Sequence, residues 1–369
     1  MILKGRRMSQ LNSLRSDRAA DRRRFRRRRV FLVAVLLLAV LAIIGFTQRG
    51  QLRAAYDGLL GRDFPGPGSG SVTLVISAGE TGVGVAADLA KLGVVKNSDV
   101  VYRLIVSENT LFYPGTYQLK HGMSSSQALA ALKDPASLKL DRVTIKEGLR
   151  IGTVLQQLAS ATGKPLGDFT QAARDLAALG IPTAEPSAEG YLFPATYGFD
   201  PANNAHQVLK HMVDRTYQEL DKFGVAIADR HRVLTLASVI QKEARQHDDF
   251  YKVSRVFLNR LAVGMPLQSD ATVSYGSGGT TVTTTDAERA STNGYNTYVH
   301  IGLPIGPIGG SGSLAIDAAL HPANGSWLYF CAINLATGET VFSNTVAQHE
   351  LAVAKFRAWI QANPGWNGN

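Results

Sequence analysis

The chain has 369 residues, a formal net charge of +10 and a single cysteine. That length accommodates about two domains, and one cysteine rules out a disulfide framework within the chain. The excess charge is confined to residues 1–29, which carry twelve Lys or Arg against two acids. The rest holds 27 of each sign, so nothing in the body's charge argues for nucleic-acid binding.

Residues 30–46, VFLVAVLLLAVLAIIGF, contain no charged or polar side chain. At 1.5 Å per residue the run measures roughly 25 Å, the lower end of a bilayer crossing. It exits into Thr47-Gln48-Arg49 without a small-residue cleavage site, which predicts an uncleaved membrane-spanning helix over 30–47 instead of a signal peptide. The arginines before it predict a basic cytoplasmic arm at 1–29, with the body exported. A nucleic-acid-binding tail is the competing reading of those arginines, and the attached apolar span argues against it. Residues 48–71 end in a Pro/Gly/Ser stretch and read as a linker.

A strand, a Gly-containing turn and a helix follow, and the pattern returns. Ile76, Gly79, Val85, Leu89 and Ala90 match Ile145, Gly148, Val154, Leu158 and Ala159 at an offset of 69. Pro114, Thr116, Tyr117, Gln127 and Leu129 match Pro194, Thr196, Tyr197, Gln207 and Leu209 at an offset of 80. Two copies are too few for a solenoid and predict an α+β module elaborated twice. Gly82-Val83-Gly84-Val85-Ala86-Ala87 mimics a dinucleotide fingerprint, but the second copy lacks those glycines, and a lone match is a weak signal.

An amphipathic helix is predicted over 206–223, a second across Val233–Ala244 and a third over 250–261, with His247-Asp248-Asp249 as a polar turn between the last two. In the second, Val233, Leu236, Ala237, Ile240 and Ala244 form an apolar stripe that Glu243 shares, while Gln241 and Lys242 project elsewhere. Burial disfavours the ionised carboxylate and raises its pKa toward the range of a general acid. The same position also fits a structural acid paired with an arginine such as Arg255. Beyond Gly264 the chain turns to Gly, Ser, Thr and Asn with interleaved tyrosines, which suits either a carbohydrate groove or a solvated loop. A helix at 314–319, strands at 327–333 and 340–343, and a helix at 346–362 complete the chain. Cys331, in the apolar run WLYFCAI, reads as a small core residue.

No H-E-x-x-H or other metal-ligand spacing and no G-x-S-x-G elbow is present. What remains is an acid on a buried helical face beside a Tyr/Asn/Thr-rich segment, which fits cleavage of a glycan by Glu243. Asp270 is the one nearby acid that could serve as a second carboxylate. If it instead fixes a loop, Glu243 serves alone as acid and then base, with the sugar's own C6 hydroxyl as nucleophile.

From about residue 72 to 362 the chain resembles the endolytic murein transglycosylase (YceG-like) family. The resemblance rests on EGYLFPATY at 189–197, LASVIQKEA at 236–244, VFLNRLAVGMPLQSDATVSYG at 256–276, YNTY at 295–298, GLPIGPI at 302–308 and His321-Pro322. It implies a LysM-like module at 72–138 and a catalytic domain at 139–365. It also implies cleavage of nascent peptidoglycan between MurNAc and GlcNAc to leave 1,6-anhydroMurNAc ends, with no cofactor or metal and with peptidoglycan synthases as partners. The site would be extracytoplasmic, anchored in the plasma (inner) membrane of a bacterium. The family commonly has Glu where this chain has Gln241, which leaves Glu243 as the catalytic acid. Gln268, Asp270, Tyr275, Tyr295, Asn296 and Tyr298 are expected to line the groove. A muramidase-type hydrolase and a non-catalytic peptidoglycan-binding scaffold are the alternatives.

Overall fold

The computed structural model of the chain describes residues 60–279 and 284–364, with Val35 and Tyr56. The basic arm, the span expected over 30–47 apart from Val35, and residues 48–55 and 57–59 of the expected linker lie outside the described residues. Among the described residues no helix is long and apolar enough to cross a membrane. The chain divides into two units, Met1–Lys139 and Leu140–Asn369, and both are α+β.

The first unit runs β1 (Ser69–Ile76), α1 (Gly82–Lys91), α2 (Ser98–Ser107), β2 (Gly115–His121) and α3 (Ser125–Lys133). Its two strands pair antiparallel, and β1 starts inside the stretch expected as linker, with Ser69 opposite His121. Asp63, from the same stretch, is buried, and its carboxylate accepts the Ser125 N–H and Oγ–H at the start of α3, each at 2.9 Å. Leu74, Val85, Leu89, Leu104, Tyr117 and Leu129 form the centre of this unit's core.

The second unit opens by repeating that order with β3 (Asp141–Thr144), α4 (Ile151–Thr162), α5 (Leu166–Arg174), β4 (Thr196–Phe199) and α6 (Ala205–Lys222). The repetition extends to register. Leu74 pairs with Tyr117 and Val75 with Thr116 in the first copy, Val143 with Tyr197 and Thr144 with Thr196 in the second. Tyr117 donates its hydroxyl to the Tyr113 carbonyl at 2.8 Å, and Tyr197 donates to the Phe193 carbonyl at 2.6 Å. Ser124 accepts the Gln127 N–H at the start of α3, and Asn204 accepts the Gln207 N–H at the start of α6. The two sequence offsets therefore mark one β–α–α–β–α unit present twice.

The second unit then adds α7 (Arg230–Glu243), α8 (His247–Ala262), α9 (Asp270–Gly276), α10 (Ser313–Leu320), a hairpin of β5 (Tyr329–Asn334) and β6 (Glu339–Ser343), and α11 (Val346–Ala362). Residues Val233 to Ile240 of α7 are all buried, so this helix is enclosed on every side and not half-exposed as a stripe would imply. The same core holds Phe169, Leu192, Leu209, Phe257, Ile308 and Ile316. His247, Asp248 and Asp249 form the first turn of α8 and not the expected connecting turn. Two acids there face the positive end of the helix dipole.

Candidate active site

Glu243 is the last residue of α7, where the backbone turns extended at Ala244 (φ −84°, ψ 145°). The enclosed helix thus carries one acid to the point where its burial ends. The residue as a whole is half-buried, while protein packs closely around its carboxyl group. Ser269 Oγ–H donates to Glu243 Oε1 at 2.5 Å. The arginine pairing entertained from sequence is not made: Arg255 Nε donates to the Ala323 carbonyl at 2.5 Å. Burial pushes the Glu243 carboxyl above the ordinary carboxylate range, and the Asp270 charge adds to that rise. The Ser269 hydrogen bond and Arg260 oppose it without reversing it.

Arg260, 7% exposed, fixes the turn that carries Ser269. Its Nη1 donates to the Leu267 and Pro266 carbonyls at 2.8 and 3.2 Å, and its Nε to the Leu328 carbonyl at 2.6 Å. Gln268 is exposed and adopts a left-handed φ of 52°, and its N–H donates to the Thr297 carbonyl at 3.0 Å. The Ser269 N–H donates to Thr297 Oγ1 at 3.1 Å. Asn296 is 1% exposed, and its amide donates to the Arg289 and Ser291 carbonyls at 2.9 and 2.6 Å. The YNTY segment is thus the frame on which Ser269 is mounted.

Asp270 is engaged on several sides. Its carboxylate accepts Thr284 Oγ1–H at 2.6 Å, the Tyr298 hydroxyl at 2.9 Å, and Arg289 Nε and Nη2 at 3.2 and 3.3 Å. Burial and the adjacent Asp270 charge push the Tyr298 phenol up to about 12. Tyr275 donates its hydroxyl to Glu189 Oε2 at 3.1 Å, and its ring lies 4.7 Å from that of Tyr295, centroid to centroid.

A cavity of about 460 Å³ opens beside Glu243, lined also by Arg150, Lys242, Arg245, Asp270, Phe330 and Phe356. Of the residues expected around the groove, its lining includes Glu243 and Asp270. Gln268, Tyr275, Tyr295, Asn296 and Tyr298 are not part of that lining. Its aromatic wall comes instead from β5 and α11. Cys331, expected in the core, lies half-buried on that wall, with its thiol pushed up by burial.

Glu189 is a functional candidate that sequence reasoning passed over, although it opens the EGYLFPATY motif. It is 2% exposed, and both its oxygens lie 3.0 Å from the Ile151 N–H that donates to them. Burial raises its pKa against those hydrogen bonds and the Arg150 charge. Gln241, where an acid was the familiar residue, donates its amide to Glu147 Oε2 at 3.1 Å and accepts the Gly312 N–H at 3.0 Å. A carboxylate at 241 would face Glu147 with like charge. Among the described residues no group of three or more His, Cys, Asp or Glu is placed to hold a metal.

The YceG-like family matches residues 74–355 of the chain. The endolytic murein transglycosylase of Bacillus subtilis is 31% identical over 313 residues, which cover 78% of this chain and 85% of that protein. An endolytic murein transglycosylase of Streptococcus pneumoniae is 27% identical over 324 residues, covering 77% of this chain and 58% of that protein. The crystal structure of a yceG-like protein from Listeria monocytogenes matches with a TM-score of 0.51 at 28% identity, over 76% of this chain and 99% of that one.

Proposed function

The chain belongs to the YceG-like family, and from that membership and the enclosed acid at Glu243 we infer that it is an endolytic lytic transglycosylase of peptidoglycan. The observation that carries the reading is one carboxyl on a cavity wall whose pKa is raised by burial, while its acidic neighbour is occupied. A glycoside hydrolase of the usual kind uses two carboxylates flanking the bond, one of them free to activate water or attack carbon. Asp270 is committed to Arg289, Thr284 and Tyr298. Glu189 is likewise taken up by the Ile151 N–H and the Tyr275 hydroxyl and is not part of the cavity lining, which leaves Glu243 to act alone.

Glu243 begins protonated and gives its proton to the glycosidic oxygen between MurNAc and GlcNAc. The C1–O bond breaks to an oxocarbenium-like sugar. The C6 hydroxyl of the same sugar closes on C1, and the Glu243 carboxylate removes its proton. The acid returns to its starting state, no water is consumed, and the strand ends in 1,6-anhydroMurNAc. Ser269 aims the carboxyl, Phe330 and Phe356 offer ring faces to the sugars, and burial, with the Asp270 charge behind it, raises the Glu243 pKa. Gln268, Tyr275, Tyr295, Asn296 and Tyr298 act through this frame.

Digestion of peptidoglycan followed by mass spectrometry tests the reading. Wild type yields anhydro ends and Glu243→Gln yields none; reducing ends from wild type point to hydrolysis, and binding without products to a scaffold. The β–α–α–β order of the first unit supports a LysM-like role in holding glycan, tested by pull-down of that unit with purified strands. We further place the catalytic unit outside the plasma membrane on an anchor at 30–47, where it terminates strands beside peptidoglycan synthases. Protease protection of that unit in intact spheroplasts would sink this placement, and absence of any crosslink to a synthase would sink the partnership.

A further inference from the structure

Arg150 stands where a cation is unwelcome. It is the N-cap of α4, makes no side-chain cap there, and faces the positive end of the helix. At the corresponding position of the first copy stands Thr81, whose Oγ1 accepts the Gly84 N–H at 3.3 Å. In the second copy the capping acceptor comes from another segment, because Glu189 takes the Ile151 N–H. Residue 150 is thereby released from capping. Its guanidinium is held 5.1 Å over the Tyr275 ring and donates from Nη2 to Ser274 Oγ at 3.3 Å, on the wall of the Glu243 cavity.

Two more cations share that wall. Lys242 and Arg245 flank Glu243 in sequence and line the same cavity. Lys242 is exposed along its length, yet its pKa is lowered, by burial of its amine first and by the Arg150 charge second. Asp270 cannot offset these charges fully, since it already pairs with Arg289. A reaction that builds positive charge on a sugar is opposed by surplus cations close by. An anion arriving with the substrate removes that opposition.

We propose that Arg150, with Lys242 and Arg245, binds a carboxylate on the lactyl-peptide arm of the muramyl residue and so positions the strand against Glu243. The carboxylate is either the lactyl group's own, free on peptide-stripped strands, or one carried by the stem peptide. Guanidinium and carboxylate match as a charge-assisted pair in either case. The proposal rests on the transglycosylase reading.

The test uses the full chain and three glycan substrates: strands with stem peptides, strands stripped by an amidase, and stripped strands whose lactyl carboxyls are converted to methylamides. Arg150→Gln is expected to raise KM about tenfold on one or both carboxylate-bearing substrates, equivalent to about 1.4 kcal/mol, with kcat within about twofold. A rise on peptide-bearing strands alone assigns the stem carboxylate, and a rise on stripped strands alone assigns the lactyl one. Arg150→Lys recovers part of the loss, and the methylamide substrate shows no rise in KM in any variant. Arg245→Gln, at an exposed position, repeats the pattern more weakly and guards against a folding defect at residue 150. An unchanged KM on all three substrates, or an equal loss on all three including the methylamide, overturns the proposal. Failure of the underlying reading is separate, because wild type would then form no anhydro ends on any substrate.

Discussion

At the scale of single residues, the site's chemistry is set by competing influences on one carboxyl group. Burial and the Asp270 charge raise the Glu243 pKa, and the Ser269 hydrogen bond lowers it. Activity requires the protonated form, so the rate falls as pH rises through that raised value. Ser269→Ala removes a lowering influence and is expected to move this alkaline limb to higher pH. Asp270→Asn removes a raising one and is expected to move it to lower pH. A pH–rate profile of kcat/KM for the two variants checks the opposite signs, and limbs moving the same way would contradict the assignment. Stability follows from the same shift. An acid whose folded pKa is raised contributes stability that is present below its unfolded value and lost as pH rises through the folded value. Above that pH the folded state carries a buried charge that Glu243→Gln eliminates, while Ser269 can still donate to the amide oxygen. The variant is expected to lose about 10³-fold or more in rate and to gain about 1 kcal/mol in neutral-pH stability. Thermal melts beside the product assay check both.

At the scale of elements, Arg260 of α8 ties a buried helix to the turn before α9. Replacing it with Met leaves the Leu267, Pro266 and Leu328 carbonyls without their donor. The expected cost is about 3 kcal/mol, with lost activity because Ser269 is no longer held. Lys at this position is expected to recover little, since a point charge does not reproduce the fork of donors; denaturant melts of both variants check this. The elements themselves were legible in the sequence. The helix expected at 346–362 has those bounds, and the offsets of 69 and 80 predicted a duplication that the strand register reproduces. The burial of the Glu243 carboxyl was legible, because that acid shares the apolar side of the helix that begins at Val233. Its surroundings were not. The partners of Asp270 and Glu189 come from residues 19 and 86 positions away, Arg289 and Tyr275, and no periodicity encodes such contacts. Nor does local pattern reveal that Phe330 and Phe356, on a strand and a late helix, share a wall with Glu243. The tyrosines stood out by composition, yet their hydroxyl partners, Glu189 for Tyr275 and Asp270 for Tyr298, are set by tertiary contact.

At the scale of the whole molecule, the same β–α–α–β–α plan serves two purposes. Each unit has its own core, one centred on Leu104 and its neighbours and one on α7. Every residue placed around Glu243 (Arg150, Glu189, Ser269, Asp270, Phe330) belongs to the second unit. The copies diverge where chemistry demands it: Thr81 caps its own helix, whereas Arg150 is turned to the cavity and Glu189 caps in its place. If catalysis resides in the second unit, loosening the first should leave the chemical step untouched. Leu104 is 1% exposed, and truncation of such a leucine costs about 3 kcal/mol. That is a large part of the roughly 5–15 kcal/mol that a domain of ordinary stability holds. Leu104→Ala is therefore expected to lower one of two calorimetric unfolding transitions while kcat on short soluble strands stays within about twofold. Ile240→Ala, in the other core, is expected to lower the other transition and the rate together. A single transition in which both variants act alike would mean that the two units fold as one, and that the first copy supports the active site through the second.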